Sequence, residues 1–154
     1  MEKGRKIAAL DFGFRATRIS RRLRQLVDSE LAAYGLTEAT WRPLAYVGRL
    51  GAGVRQSELA AALGLEGPSL VRLLDNLERR GLIERREHKS DRRVRGIYLT
   101  PSGRELQRRV TSISDGVQQR LLAAASPADL AACGRLFSLI EKALEQPSRA
   151  AKVA

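Results

Sequence analysis

The chain has 154 residues, long enough for one compact domain with its own core, and its 44% hydrophobic and 29% charged residues are proportions of a globular protein. Its 28 Lys+Arg against 17 Asp+Glu give a net charge of +11 and a pI of about 10.9; so basic a surface attracts polyanions, nucleic acid before anionic membrane, or simply keeps a soluble protein dispersed. One cysteine, Cys133, and one histidine, His88, exclude an intrachain disulfide and a Cys/His metal cluster.

At the N-terminus the apolar run "IAAL" is broken by Asp11, too short for a signal peptide, and no later run approaches a membrane span. A cytoplasmic location without membrane association is expected. Residues 1–9 and 147–154 lack apolar periodicity and are expected as flexible tails around a single folded unit, residues 10–146. From about Asp11 to Ala33, Ile19, Leu23, Leu26 and Val27 recur at helical spacing, and Leu31 and Tyr34 extend the pattern. The opposite side of this long helix is basic (Arg15, Arg18, Arg21, Arg22, Arg24), and Gly35 stops it. Thr37 is expected to cap a second helix carrying Trp41, Leu44 and Val47, which ends at the glycines of "GAG".

"QSELAAALGLEGPSLVRLLDNLERRG" then predicts a short helix stopped by Gly64, a turn, and a second helix with Pro68 in its first turn. The second helix buries Leu70, Leu73, Leu74 and Leu77, spaced i, i+3, i+4, i+7, and shows Ser69, Arg72, Asp75, Asn76 and Arg79 on its polar side. Alone, the pair fits either a helix-turn-helix with a groove-reading helix or an ordinary helical hairpin.

The flanks favour the first. "LIERRE" and "RGIYLT" predict two short strands joined by the loop "HKSDRRV", and a helix-turn-helix followed by a basic hairpin is a winged helix. From Glu84 to Arg95 there are six Lys/Arg against three acids, so the wing is net +3, a charge run that DNA contact explains better than a solvated turn does. Thr100 and Pro101 open a long helix toward Ala124, and Ser126-Pro127 with Asp129 caps a last one. That helix spaces Leu130, Cys133, Phe137, Ile140 and Leu144 by threes and fours, a seam for another helix of this chain or of a second copy. The expected fold is mainly α with a small β component: a winged helix-turn-helix of about six helices plus a β-hairpin wing. The first and last helices are expected to form a dimer module.

Three stretches, "LTEATWRPL" (36–44), "QSELAAALGLEGPSLVRLLDNLERRGLI" (56–83) and "DRRVRGIYLTPSG" (91–103), resemble the MarR family of bacterial transcription regulators, its SlyA-like branch in particular. The order of elements matches from about residue 10 to 146. The resemblance implies a two-fold dimer joined through helices at about 10–34 and 101–146, with a DNA-binding lobe at about 37–100. It implies that double-stranded DNA is met by Gln56, Ser57, Pro68, Ser69, Arg72 and Asn76 on the helix-turn-helix. On the wing, Arg93 would enter the minor groove with Asp91 orienting its guanidinium, and Lys89, Arg92 and Arg95 would hold phosphates. Many such regulators release DNA when a small aromatic or phenolic anion binds. Phe14, Tyr34 and Trp41 with Arg15 as counter-ion are the candidates for such a cleft, and packing at a helix junction explains the same aromatics equally well. A redox-sensing branch uses a cysteine near the first helix; this chain has none there, and on an apolar seam a structural thiol is the default for Cys133.

The expected function is a sequence-specific regulator, a homodimeric repressor on a palindromic operator, without cofactor. The alternative is a low-specificity nucleoid-type or anti-silencing protein, which the charge of +11 would serve equally well. An enzyme is not expected: the chain shows no paired-carboxylate motif, phosphate-binding glycine loop or metal-ligand spacing.

Overall fold

The computed structural model describes the backbone of residues 2–88 and 91–145, and the side chains of 11–87 and 95–145. Six helices and three short strands follow one another: α1 (Glu2–Ala32), α2 (Glu38–Leu50), β1 (Val54–Arg55), α3 (Gln56–Leu63), α4 (Gly67–Arg79), β2 (Ile83–His88), β3 (Asp91–Leu99), α5 (Pro101–Leu121) and α6 (Pro127–Glu145). The strands form one antiparallel sheet in the order β1-β3-β2. The winged helix-turn-helix expected from the sequence is the fold observed, with β1 as a third strand beside the hairpin.

The chain divides into two compact units, one ending at Gln118 and the other starting at Gln119. The first holds two cores. Leu44, Val47, Leu59, Leu63, Leu70, Leu74, Leu77, Ile83 and Ile97 bury the helix-turn-helix against the sheet. Val27, Leu31, Leu36, Trp41, Val110 and Val117 join α1, α2 and α5. In the second unit α6 buries none of its residues: Leu130, Phe137 and Leu144 are all exposed, and so is the Cys133 thiol.

Several boundaries depart from expectation for identifiable reasons. Backbone helix begins at Glu2 rather than near residue 10, since extending an existing helix costs far less than nucleating one and needs no apolar period. Residues 147–154 lie outside the described residues. Of the first helix's apolar positions, Val27 and Leu31 are buried but Ile19, Leu26 and Tyr34 are exposed, so the apolar pattern holds two stripes and the chain covers one. Thr37 occupies the α2 cap position with an extended backbone, yet its hydroxyl lies 3.4 Å from that of Thr40 instead of bonding a helix amide. α5 stops at Leu121, short of Ala124.

The other junctions follow the sequence closely. Gly64 closes α3 in the left-handed conformation at φ 65°, which a side chain would strain. Glu58 accepts the Arg55 amide at 2.9 Å at the start of α3. Ser126 and Asp129 form a reciprocal capping box, the Asp129 amide donating to Ser126 Oγ and the Ser126 amide to Asp129 Oδ2 at 3.0 Å. Among the described residues no helix is long and apolar enough to cross a membrane.

Candidate nucleic-acid interface

α4 is amphipathic because leucines fall on one side of it and polar residues on the other. Leu70, Leu74 and Leu77 are fully buried, which anchors the helix by its inner face against α3 and the sheet. Ser69, Arg72, Asn76 and Arg79, spaced i, i+3, i+7 and i+10, form an exposed outer stripe with no hydrogen bond or ion pair among the described residues. Pro68 and Ser69 stand exposed in the first turn, where Pro68 costs no hydrogen bond. At the start of α3, Gln56 is half-buried and Ser57 exposed.

The hairpin beside α4 is longer than expected. β3 starts at Asp91, so residues 91–94 belong to a strand rather than to a loop. The pairing is also irregular: Glu87 opposes Arg95 but His88 opposes Asp91, leaving Arg92, Arg93 and Val94 as extra length on β3. Only Asp91 and Arg95 at the two ends of this stretch have partners on β2, and the extra residues between them form the bulge of the hairpin. Arg95 is exposed. Lys89 and the side chains of Asp91, Arg92 and Arg93 lie outside the described residues, so the orientation expected for Arg93 is open.

Asp75, read from the sequence as part of the outward polar side, instead turns toward the wing. Arg85 of β2 donates from one terminal nitrogen to Asp75 Oδ1 and Glu78 Oε2, both at 2.5 Å. Its Nε reaches Glu78 Oε2 at 3.0 Å, and its backbone amide reaches Glu78 Oε1 at 3.2 Å. The Arg85 hydrogen bond holds the Glu78 carboxyl below its ordinary range, against the cost of desolvation, and Glu78 in turn holds the guanidinium more firmly protonated. Arg72, Asp75, Glu78, Arg79 and Arg85 line an open depression of about 530 Å³ between helix and wing. Sequence reasoning missed Arg85; the available signal was a pair of acids three apart on the helix followed by an arginine at an inward strand position.

The four residues expected to hold an aromatic ligand do not converge within the chain. Trp41 is a core residue, and its indole N–H donates to Asp28 Oδ1 at 3.2 Å. Tyr34 is exposed just beyond α1, under the Arg109 guanidinium at 5.3 Å. Phe14 lies exposed with Arg18 over its ring, and Arg15 sits 3.8 Å from Asp11. Phe14 and Leu31 alone are separated by roughly 25 Å at 1.5 Å per residue, so Phe14 and Arg15 share no cleft with Trp41 in one chain. Among the described residues no cluster of His, Cys, Asp or Glu is placed to hold a metal ion.

Known proteins share this architecture. The sequence pattern of the MarR family matches residues 34–94. The chain is similar to the crystal structure of the transcriptional regulator PA3341 at 35% identity and a TM-score of 0.81, over 87% of this chain and 98% of that one. It is similar to MepR of S. aureus, solved in complex with DNA, at 29% identity and a TM-score of 0.72, over 86% and 96%. CouR of Rhodococcus jostii RHA1, solved with p-coumaroyl-CoA bound, matches at 28% identity and a TM-score of 0.75, over 90% and 96%.

Proposed function

The chain belongs to the MarR family of transcriptional regulators, and from that premise we propose that it is a sequence-specific DNA-binding repressor, acting as a homodimer on a palindromic operator. The observation that carries the reading is the exposed stripe of Ser69, Arg72, Asn76 and Arg79 on α4, unengaged within the described residues and flanked by a basic hairpin. Such a helix fits a major groove, where arginine and asparagine discriminate base edges, while a hairpin beside it reaches the adjacent minor groove. Gln56, Ser57 and Pro68 would border the same groove, and Lys89, Arg92, Arg93 and Arg95 would meet phosphates and the minor groove, with Asp91 holding Arg93. MepR, solved with DNA, supports this reading. Assignment to the SlyA-like branch rests on the residues at 36–44, 56–83 and 91–103.

The dimer is carried by two uncovered apolar lines. On α6, Leu130, Phe137 and Leu144 are exposed at seven-residue spacing, and on α1 so are Phe12, Ile19 and Leu26. Heptad lines of this kind pack on other helices, and a second copy supplies them. For the effector we keep a small aromatic or phenolic ligand, a class consistent with the p-coumaroyl-CoA bound by CouR. Exposed Tyr34, with the Arg109 guanidinium 5.3 Å from its ring, is the aromatic and cation pair we propose for it.

A fluorescence titration of the chain against DNA flanking its own gene, and against a scrambled duplex, tests the main reading. A preference of about a thousandfold or more supports a sequence-specific regulator. A ratio near one supports the second reading, a low-specificity nucleoid-type or anti-silencing protein, which the net charge of +11 favours.

A further inference from the structure

We propose that Arg85 is a positioning residue for DNA binding: held by Asp75 and Glu78 of α4, it fixes the stance of the wing beside the groove-reading helix. The inference rests on the winged-helix reading above and concerns how its two DNA-contacting parts keep their relation to each other. Strand periodicity puts Arg85 on the same side of β2 as Ile83, which is 2% exposed. A charged residue therefore continues a core-facing line, and its side chain is 18% exposed. Taking a guanidinium that far out of water is costly unless it is paired, and here its Nε and one terminal nitrogen donate to two carboxylates of the neighbouring helix. Opposite Arg85 in the register stands Ile97 of β3, itself fully buried, so the contact lies at the root of the hairpin. From there to His88 the strand runs about 10 Å, a lever that turns small rotations at the root into larger displacements at the wing tip.

The same contact has an electrostatic side. Asp75 and Glu78 share the depression with Arg72 and Arg79, where uncompensated carboxylates would repel phosphate. Arg85 compensates them from the protein side and leaves Arg72 and Arg79 without an internal partner among the described residues.

The test compares the parent with Arg85→Met and with the swap Glu78→Arg/Arg85→Glu. In a Cys133→Ser background, spin labels on Arg79→Cys and Glu87→Cys, in dimers formed with an excess of unlabelled chain, report the distance from helix to wing within one subunit without DNA. The parent should give a narrow distribution, Arg85→Met a broad one, and the swap a narrow one again. On operator DNA, Arg85→Met should bind about 10- to 100-fold more weakly. It should lose minor-groove protection from hydroxyl radicals while major-groove protection from methylation persists, and the swap should restore both affinity and protection. Distance distributions that are the same in parent and Arg85→Met would overturn the clamp, whatever the DNA result. Equal loss of both protections that the swap does not repair would overturn it as well, marking a residue needed only for folding. A parent with a narrow distribution that protects no DNA would sink the regulator reading instead and leave the clamp standing as a feature of the fold.

Discussion

Gly103 has no room for a methyl group: a Cβ there would lie 1.8 Å from the Leu82 carbonyl oxygen. That oxygen already accepts the Thr100 amide at 3.1 Å, while the Thr100 hydroxyl donates to the Gly81 carbonyl at 2.6 Å and accepts the Gly103 amide at 3.0 Å. The motif Leu-Thr-x-x-Gly is thus a joint that seats α5 on the turn between α4 and β2. Because the clash is with backbone, Gly103→Ala should destabilise the chain by about 3 kcal/mol or more, read as a lower midpoint in urea unfolding at unchanged slope. Asp129 offers a second test at this scale. Bonding to Ser126 holds its carboxyl below the ordinary 3.8, so it stabilises α6 at pH above that value and ceases to do so as pH falls through the depressed one. Asp129→Asn should therefore lower the thermal midpoint at pH 7, and the gap from the parent should close on acidification to about pH 2. A gap that stays constant with pH would show that the charge plays no part in the cap.

Among the elements, wing and helix should fail differently. Arg93→Ala should weaken binding by about 1–3 kcal/mol, most where A·T-rich sequence narrows the minor groove, and Asp91→Ala should give a milder version of that loss. Arg72→Ala should relax discrimination at particular base pairs if it meets a base, or weaken every sequence alike if it meets a phosphate. Titrations of each variant against operator, mismatched operator and random DNA separate these cases. Arg93→Ala binding all three as tightly as the parent would remove the wing from the interface.

For the molecule as a whole, charge and exposed apolar lines make two demands. With a net charge of +11, and about three to five phosphate contacts in each half of a dimer, log K against log salt should slope at roughly −5 to −9. A slope near zero would place DNA binding elsewhere than on the basic surface. Exposed Leu130, Phe137 and Leu144 on α6 should hold the protein as a dimer without DNA. Light scattering at low micromolar concentration that found only a 17.0 kDa species would exclude it.

What the sequence determined by itself was local. Helix periods, Gly64 at the end of α3, Pro68 in the first turn of α4 and the Ser126 to Asp129 cap are read within a few residues, because the forces that set them act within a few residues. The polar stripe of α4 was legible for the same reason: leucines spaced for one face leave the other to Ser69, Arg72 and Asn76. What depended on contacts far apart along the chain was not legible. β1 is two residues long and exists only because β3 supplies partners for Val54 and Arg55. Asp75 looks outward on a helical wheel, but Arg85, ten residues away, claims it. Phe14 and Trp41 look like parts of one aromatic cleft until the length of α1 separates them, and Trp41 finds its partner in Asp28. Periodicity says which side of an element is apolar; only the packed chain decides which apolar and charged groups meet, since that follows from the summed geometry of every element between them.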